Sequence, residues 1–149
     1  MNFDQTTSFI LAKVTTAFRN TLERNMEPIG LHSGQVFVLM ELWRKDGQRQ
    51  VDIASRLSLS APTINKTVKG LIEAGLVTRE RLEDDARSTR IYLTDRGAAK
   101  QEQVEEQWRE LEEEVVAGLT EAERLMIFEL LAKMRKSFSG AASDENEPI

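Results

Sequence analysis

Hydrophobic residues near the amino terminus of the chain recur at steps of three and four positions. The residues that follow this spacing are Leu11, Val14, Phe18, Leu22 and Met26. Such a pattern predicts a helix with one apolar side, over about residues 3–26. Pro28 and Gly30 are expected to end this helix.

The next apolar segment predicts a second helix that begins near Ser33 and ends at Asp46 and Gly47. Ser33 is a favourable N-cap, because a serine hydroxyl accepts a hydrogen bond from a backbone N–H of the first turn. Apolar residues cover most of the circumference, so we expect this helix to be largely buried. These residues are Val36, Phe37, Met40 and Trp43.

Two short helical segments follow, over residues 51–57 and 61–74. Ser60 is the predicted N-cap of the second segment, where Pro62 is tolerated in the first turn. Gly75 is the predicted residue just beyond its end. A short helix, a tight turn and a longer helix are typical of a helix-turn-helix.

The second helix of this pair has two contrasting faces. At ~100° per residue, an apolar face is formed by Ile64, Val68, Leu71 and Ile72. The opposite face is polar and carries two lysines; it comprises Pro62, Thr63, Lys66, Lys69, Gly70 and Glu73, with Asn65 and Thr67 on the flanks. A helix face with hydrogen-bond donors and no bulky side chains can enter a DNA major groove, which is ~12 Å wide. A solvated face on a small core helix is the alternative.

Two strand-like segments, residues 76–81 and 89–93, predict a hairpin whose tip spans residues 82–88. Four arginines lie on or beside it: Arg79, Arg81, Arg87 and Arg90. A ribbon that follows a recognition helix suits the adjacent minor groove, where negative potential attracts arginine. We expect Asp85 to pair with an arginine and to orient it. A loop charged only for solubility is the alternative.

The carboxy-terminal part of the chain predicts two further helices. Thr94 caps the first, which carries Trp108 and Leu111 opposite a glutamate-rich face. The second begins at a capping box of Thr120 and Glu123. Its apolar residues, again three and four apart, are Ile127, Leu131, Met134 and Phe138. Residues 139–149 are small, polar and acidic, which predicts a disordered tail.

Composition narrows the classes of function. The chain has 149 residues, enough for one domain, with no cysteine and one histidine. Thiolate metal sites and cysteine redox sensing are therefore excluded, and a histidine-rich zinc site is not expected. No phosphate-binding loop or paired carboxylate site indicates an enzyme. We expect a cytoplasmic protein without a membrane span, without a metal and without a cofactor.

Charge is unevenly distributed along the chain. The net charge is −5, but residues 44–97 hold 11 Lys and Arg against 8 Asp and Glu, a net of +3. An acidic protein still binds phosphates when its positive charges share one surface.

Residues 85–97, which read DARSTRIYLTDRG, resemble the wing signature of the MarR family (multiple antibiotic resistance regulators), in which Asp-x-Arg is followed by Leu-Thr-x-x-Gly. Residues 70–79, GLIEAGLVTR, likewise resemble the end of the recognition helix in that family. The resemblance covers essentially the whole chain through the order of its helices and wing. The family often has two adjacent arginines after the aspartate, whereas Ser88 follows Arg87 here.

The resemblance implies a mainly α fold with a small β-hairpin wing (α+β), a winged helix-turn-helix with amino- and carboxy-terminal dimerisation helices. Within a single MarR-like domain, 1–149, we expect a winged-helix DNA-binding lobe at 31–97 and dimerisation helices at 1–30 and 98–138. The implied function is a homodimeric, sequence-specific regulator, usually a repressor, that binds a pseudo-palindromic operator in double-stranded DNA. A small lipophilic or aromatic effector is expected to release it.

Residues are assigned to three predicted sites. The DNA-binding residues are Ser60, Pro62, Thr63, Asn65, Lys66, Lys69, Arg79, Asp85, Arg87, Ser88 and Arg90. The dimer-interface residues are Leu11, Phe18, Trp108, Leu111, Ile127, Leu131 and Met134. The effector site is assigned to His32, Phe37 and Met40.

Each assignment has an alternative. Phe37 and Met40 also fit an ordinary core, and His32 also fits an exposed surface. The apolar residues of the terminal helices could all pack within one chain. A winged-helix module that binds proteins and not DNA remains the rival function.

Overall fold

The structure, a computed structural model, describes residues 1–81 and 88–138. Its helices are α1 (Thr7–Met26), α2 (Ser33–Arg44), α3 (Gln50–Arg56), α4 (Ala61–Glu73), α5 (Asp95–Val116) and α6 (Glu121–Phe138). Its strands are β1 (Gln48–Arg49), β2 (Val77–Arg81) and β3 (Thr89–Leu93). The mainly α fold with a small antiparallel sheet is therefore confirmed.

The three strands form one sheet in the order β1-β3-β2. Strands β2 and β3 pair along their whole length, from Val77 opposite Leu93 to Arg81 opposite Thr89. Strand β1 adds Gln48 opposite Ile91 on the other edge of β3. The sequence did not predict β1, because two residues are too short to show an alternating pattern.

A single apolar core draws residues from the first five helices and from the sheet. Helix α2 is largely buried, as expected, with Val36, Val38 and Leu39 fully inaccessible. Beyond α2, the core residues with 2% exposure or less include Leu22, Met26, Ile53, Ile64, Val68, Leu71, Ile91 and Val104.

The start of α2 differs from the prediction, because the N-cap is His32 and Ser33 is the first helical residue. The free backbone N–H groups of the first turn are satisfied by longer side chains. The His32 N–H donates to Gln35 Oε1 at 2.9 Å, and the Ser33 N–H donates to Glu23 Oε2 at 2.7 Å. The Glu23 carboxylate of α1 thus accepts a hydrogen bond from the first turn of α2, which is the role predicted for the Ser33 hydroxyl.

The chain divides into two compact units, residues 1–111 and 112–149. The first contains the sheet and the apolar core. In the second, α6 buries none of its residues. The expected lobe at 31–97 and the dimerisation segments remain predictions, and the predicted tail at 139–149 lies outside the described residues.

Candidate nucleic-acid interface

A tight turn connects α3 to α4. Ser58 has a φ of +52°, a left-handed conformation that is uncommon for a residue with a side chain. Backbone hydrogen bonds close the turn, with Leu59 N–H donating to the Ala54 carbonyl at 2.8 Å. Ser60 then caps α4 as predicted, because its hydroxyl oxygen accepts a hydrogen bond from Thr63 N–H at 3.3 Å. The first turn of α4 is thereby fixed relative to α3.

The two faces of α4 separate largely as the sequence predicts. Ile64, Val68 and Leu71 are buried, with at most 2% exposure. The opposite surface contains the predicted DNA-binding residues of this helix, all exposed: Pro62, Thr63, Asn65, Lys66 and Lys69. This arrangement leaves two ammonium groups, one amide and one hydroxyl on the outer side of the helix.

Two positions on α4 were assigned to the wrong face. Ile72 was expected in the core but is 37% exposed. Gly70 was expected on the outer face but lies against α2, where an added Cβ would be 2.9 Å from Gln35 Nε2. The glycine is therefore explained by close helix packing.

The arginines of the hairpin lie in different environments. Arg79 and Arg81 are exposed on β2. Arg90 is half-buried on β3, and its Nη1 donates to the Gly47 carbonyl at 2.7 Å, so part of this guanidinium already has a partner. Ser88 is also half-buried. Asp85 and Arg87 lie outside the described residues.

Arg49, which the sequence analysis did not single out, adds an ion pair at the start of α3. Its Nε and Nη2 donate to the two carboxylate oxygens of Asp52 at 2.8 and 3.0 Å. These hydrogen bonds hold the pKa of the Asp52 carboxyl below its usual value, and the charges of Arg56 and Arg90 lower it further. The clustering of basic side chains here depends on β1 pairing with β3, which sequence periodicity does not reveal.

The end of α4 is joined to the start of α5 by a junction that comprises Gly75, Leu76, Thr94, Gly97 and Trp43. The Thr94 hydroxyl donates to the Gly75 carbonyl at 2.7 Å and accepts from Gly97 N–H at 3.0 Å. The Trp43 indole N–H donates to the Gly97 carbonyl at 3.0 Å. A Cβ at position 97 would lie 1.9 Å from the Leu76 carbonyl oxygen, so only glycine fits.

This junction gives a physical reason for the Leu-Thr-x-x-Gly pattern. The threonine caps α5 and also bonds the turn after α4, while the glycine permits the backbones to touch. The pattern fixes where α4 ends relative to the start of α5.

An open cleft of about 650 Å³ lies beside α3, α4 and the two long strands. Arg79 and Arg81 contribute its cationic side chains, and Gln50 and Asn65 contribute amides. His32, Phe37 and Met40, the predicted effector residues, do not line this cleft.

The predicted effector residues occupy two different environments. His32 is exposed, and its Nδ1 lies 2.6 Å from Glu23 Oε1. The Ser33 backbone N–H, followed by the His32 side chain, lowers the pKa of the Glu23 carboxyl. Phe37 and Met40 are half-buried against the core.

Of the predicted dimer residues, Trp108 has aromatic neighbours within its own chain. Its ring meets Phe18 and Phe37 edge to face, at centroid distances of 6.3 and 6.2 Å. Leu11, Phe18 and Trp108 are half-buried. The assignment of Leu111 is corrected, because this side chain is only 1% exposed and packs in the core of its own chain.

Apolar side chains on α6 are largely exposed. The large ones at 39% exposure or more are Leu125, Met126, Ile127, Phe128, Leu130, Leu131 and Phe138. Met134 is half-buried. On α1, Ile10 and Val14 are exposed by 52% and 55%.

Within residues 1–81 and 88–138, no group of three or more His, Cys, Asp or Glu side chains is arranged to hold a metal ion. No helix in the same part of the chain is long and apolar enough to cross a membrane.

Comparison with known proteins relates this geometry to one family. Residues 31–89, from two residues before α2 to the first residue of β3, match the model of the MarR family. The chain is also 26% identical over 110 residues to an uncharacterised HTH-type transcriptional regulator, YdgJ, of Bacillus subtilis strain 168. That match covers 74% of this chain and 67% of the relative.

Solved structures extend the likeness to most of the chain. A MarR transcriptional regulator from Methanosarcina mazei Go1 has a TM-score of 0.80 and 26% identity, covering 89% of this chain and 96% of that one. The MepR protein of S. aureus, in a complex with DNA, has a TM-score of 0.77 and 26% identity. It covers 89% of this chain and 98% of that one.

Proposed function

We propose that this chain, which belongs to the MarR family of transcription regulators, is a homodimer that binds a specific site in double-stranded DNA. Members of this family are transcription regulators and not enzymes. In this proposal α4 enters the major groove and the wing follows the adjacent minor groove. Each half of the dimer reads one half of a pseudo-palindromic operator.

The observation that carries the proposal is the exposed polar face of α4. Thr63, Lys66 and Lys69 project from a helix whose other side is anchored in the core. Cationic and hydroxyl donors at this position suit phosphate oxygens and the acceptors of base edges. The DNA-bound relative MepR has the same fold.

The exposed arginines of β2 support a role for the wing. Arg79 and Arg81 extend the positive surface beyond α4, and Arg87, which lies outside the described residues, is proposed as a further DNA-binding residue. A narrow minor groove attracts such side chains through its concentrated negative potential. Ser88 and Arg90, at the loop end of β3, would contribute phosphate contacts.

The exposed apolar side of α6 supports a homodimer. Leu125, Phe128 and Leu131 are each at least 45% exposed in the single chain. Large exposed apolar surfaces mark sites of interaction. We propose that a second copy covers it, with Ile127 and Met134 in the same contact and with Leu11, Phe18 and Trp108 contributing from the first unit. Two recognition helices related by a two-fold axis then reach half-sites about 10 bp apart.

The proposed mode of regulation is repression relieved by an effector. A bound repressor blocks transcription until a small lipophilic or aromatic molecule changes the spacing of the two recognition helices. We place the effector at His32, Phe37 and Met40, which offer one polar and two adaptable apolar contacts. If the effector changes the affinity for operator DNA, operator DNA must change the affinity for the effector by the same factor. The corresponding coupling free energy is typically ~1–3 kcal/mol.

Footprinting of the purified protein on fragmented genomic DNA tests the proposal and identifies the operator. We expect protected pseudo-palindromic sites and an affinity that falls steeply with salt. Absence of sequence-selective binding at low salt would favour the rival function, a winged-helix module that binds proteins. A reporter downstream of the recovered site then separates repression from activation.

A further inference from the structure

The amide of Gln50, at the start of α3, contacts the amide of Asn65 on the outer face of α4. Gln50 Nε2 donates to Asn65 Oδ1 at 2.5 Å. This is a direct side-chain link between the two helices of the helix-turn-helix, on the side that carries the exposed lysines. Its effect on Asn65 depends on which end of each amide takes part.

The environment of Gln50 decides the orientation of both amides. Gln50 Oε1 is buried and has no hydrogen-bond partner among the described residues. In the observed orientation the Gln50 NH₂ group is paired with Asn65, and only the Gln50 carbonyl is left without a partner. A buried carbonyl without a partner is tolerated better than a buried N–H without one. Gln50 is therefore the donor, and Asn65 is the acceptor.

This orientation determines what Asn65 offers to DNA. Its oxygen is held by Gln50, so its exposed Nδ2 group, with two N–H donors, is the part of the amide left for DNA. An asparagine that reads adenine uses its oxygen and its nitrogen together, one accepting from N6 and the other donating to N7. An asparagine whose oxygen is held by a neighbour has lost half of that pattern.

We propose that Gln50 is a positioning residue for sequence recognition, which fixes Asn65 as a hydrogen-bond donor in the major groove. The operator base opposite Asn65 is then one that presents acceptors, guanine through O6 and N7 or thymine through O4, in preference to adenine or cytosine. This inference rests on the proposed DNA-binding function and names one element of its specificity.

The decisive variant is Gln50→Glu in the full chain. A carboxylate has the shape of the glutamine amide but accepts hydrogen bonds only. Asn65 must then turn its NH₂ group towards α3 and its oxygen towards the groove. We expect the preferred base at that position to change to one that presents a donor, cytosine or adenine, with a shift in relative preference of about 10-fold.

Binding to a library of operators randomised at each position measures this preference. Asn65→Ala identifies the position, because preference there should be lost while other positions keep theirs. Val51→Glu is the charge control, since it adds the same carboxylate one residue away on an exposed side chain. It should weaken all sequences alike and leave the preferred bases unchanged.

Gln50→Ala provides a second measurement if Gln50→Glu does not fold. Without the donor, the Asn65 amide is free to rotate, and selectivity at its position should relax towards equal acceptance of the four bases. An unchanged preference in both Gln50 variants, beside a parent that binds selectively, overturns the inference alone. A parent that selects no sequence overturns the proposed function and this inference with it.

Discussion

Helices α4 and α6 both carry several large apolar side chains, but those of α4 are mostly buried within the single chain and those of α6 are mostly exposed. Ile64, Val68 and Leu71 of α4 are at most 2% exposed, whereas Leu125 and Phe128 of α6 are 72% and 66% exposed. Burial of apolar surface stabilises by ~25 cal/mol per Å², so α4 already has this contribution and α6 lacks it. The apolar side of α4 is therefore buried within one chain, and the exposed apolar side chains of α6 are the ones that the proposed homodimer would cover.

The strongest test of this contrast is Leu131→Glu. Leu131 is 45% exposed, so a carboxylate is solvated in the monomer but is buried without compensation in a dimer. We expect monomers at micromolar concentration, and operator affinity should fall by about 10²–10⁴-fold through loss of bivalent binding. Analytical ultracentrifugation and fluorescence anisotropy measure the two effects.

Lys133→Glu is the control, because it also places a carboxylate on α6, at an exposed side chain whose ammonium group pairs with Glu129. It should leave the dimer largely intact. If the Leu131→Glu variant forms a dimer as stable as that of the parent, the exposed apolar side chains of α6 are not the dimer interface, and the proposed difference between α4 and α6 is wrong.

Gly97→Ala tests whether the junction between α4 and α5 stabilises the single chain. The added methyl group would meet the Leu76 carbonyl oxygen at 1.9 Å, so the junction must open. We expect each chain to lose at least ~1–3 kcal/mol of stability, independent of protein concentration. Chemical denaturation measures this loss.

Gly118→Ala is the control, since a Cβ there meets nothing within 4 Å. Equal stability of the two alanine variants would show that the junction is not needed for folding.

Lys66→Ala and Lys69→Ala test the exposed face of α4. Both side chains are exposed, so stability and assembly should not change. Lys66 points most directly away from the apolar face and is expected to reach a base edge. Its loss should relax specificity by about 10-fold at one position. Lys69 is expected to contact phosphate, so its loss should lower the salt slope by ~0.9 and weaken all sequences alike. Identical salt slopes and specificity profiles for the two variants would contradict this division of roles.

The smallest expected effect concerns Glu23, whose carboxylate accepts from Ser33 N–H at the start of α2. Its pKa is lowered in the folded state, first by that backbone hydrogen bond and then by His32. The unfolded chain therefore binds this proton more readily, and stability rises with pH. The contribution is complete above the ordinary glutamate pKa, ~4.3, and is lost as pH falls through the lower folded value.

Because Glu23 is 44% exposed, solvent screening limits the contribution to ~0–1 kcal/mol. Glu23→Gln should be less stable than the parent at pH 7, and the two unfolding curves should converge at acid pH, where the carboxyl group is protonated in both the folded and the unfolded state. A difference that persists at low pH would show that packing, and not charge, explains the effect.

The sequence predicted the fold well where local signals sufficed. Ser60 and Thr94 act as caps, and Gly75 has the expected positive φ of 72° beyond α4. These residues act through their own backbone or the next turn, so their chemistry is readable from a short window. The buried side of α4 follows from helical spacing for the same reason.

Errors arose where a distant segment decides the outcome. Gly70 faces Gln35 on α2, and Leu111 packs into the core instead of a dimer contact. Neither follows from helical periodicity, which gives the angle between side chains but not the direction of the neighbouring helix. The link between Gln50 and Asn65 spans 15 positions and was equally invisible in the pattern.

The junction of Gly75, Leu76, Thr94, Gly97 and Trp43 has a mechanical consequence. Its hydrogen bonds are 2.7–3.0 Å long, and the Leu76 carbonyl occupies the space where a side chain at position 97 would lie. Because the two backbones are in contact at this junction, a small tilt of the first turn of α5 would also displace the end of α4.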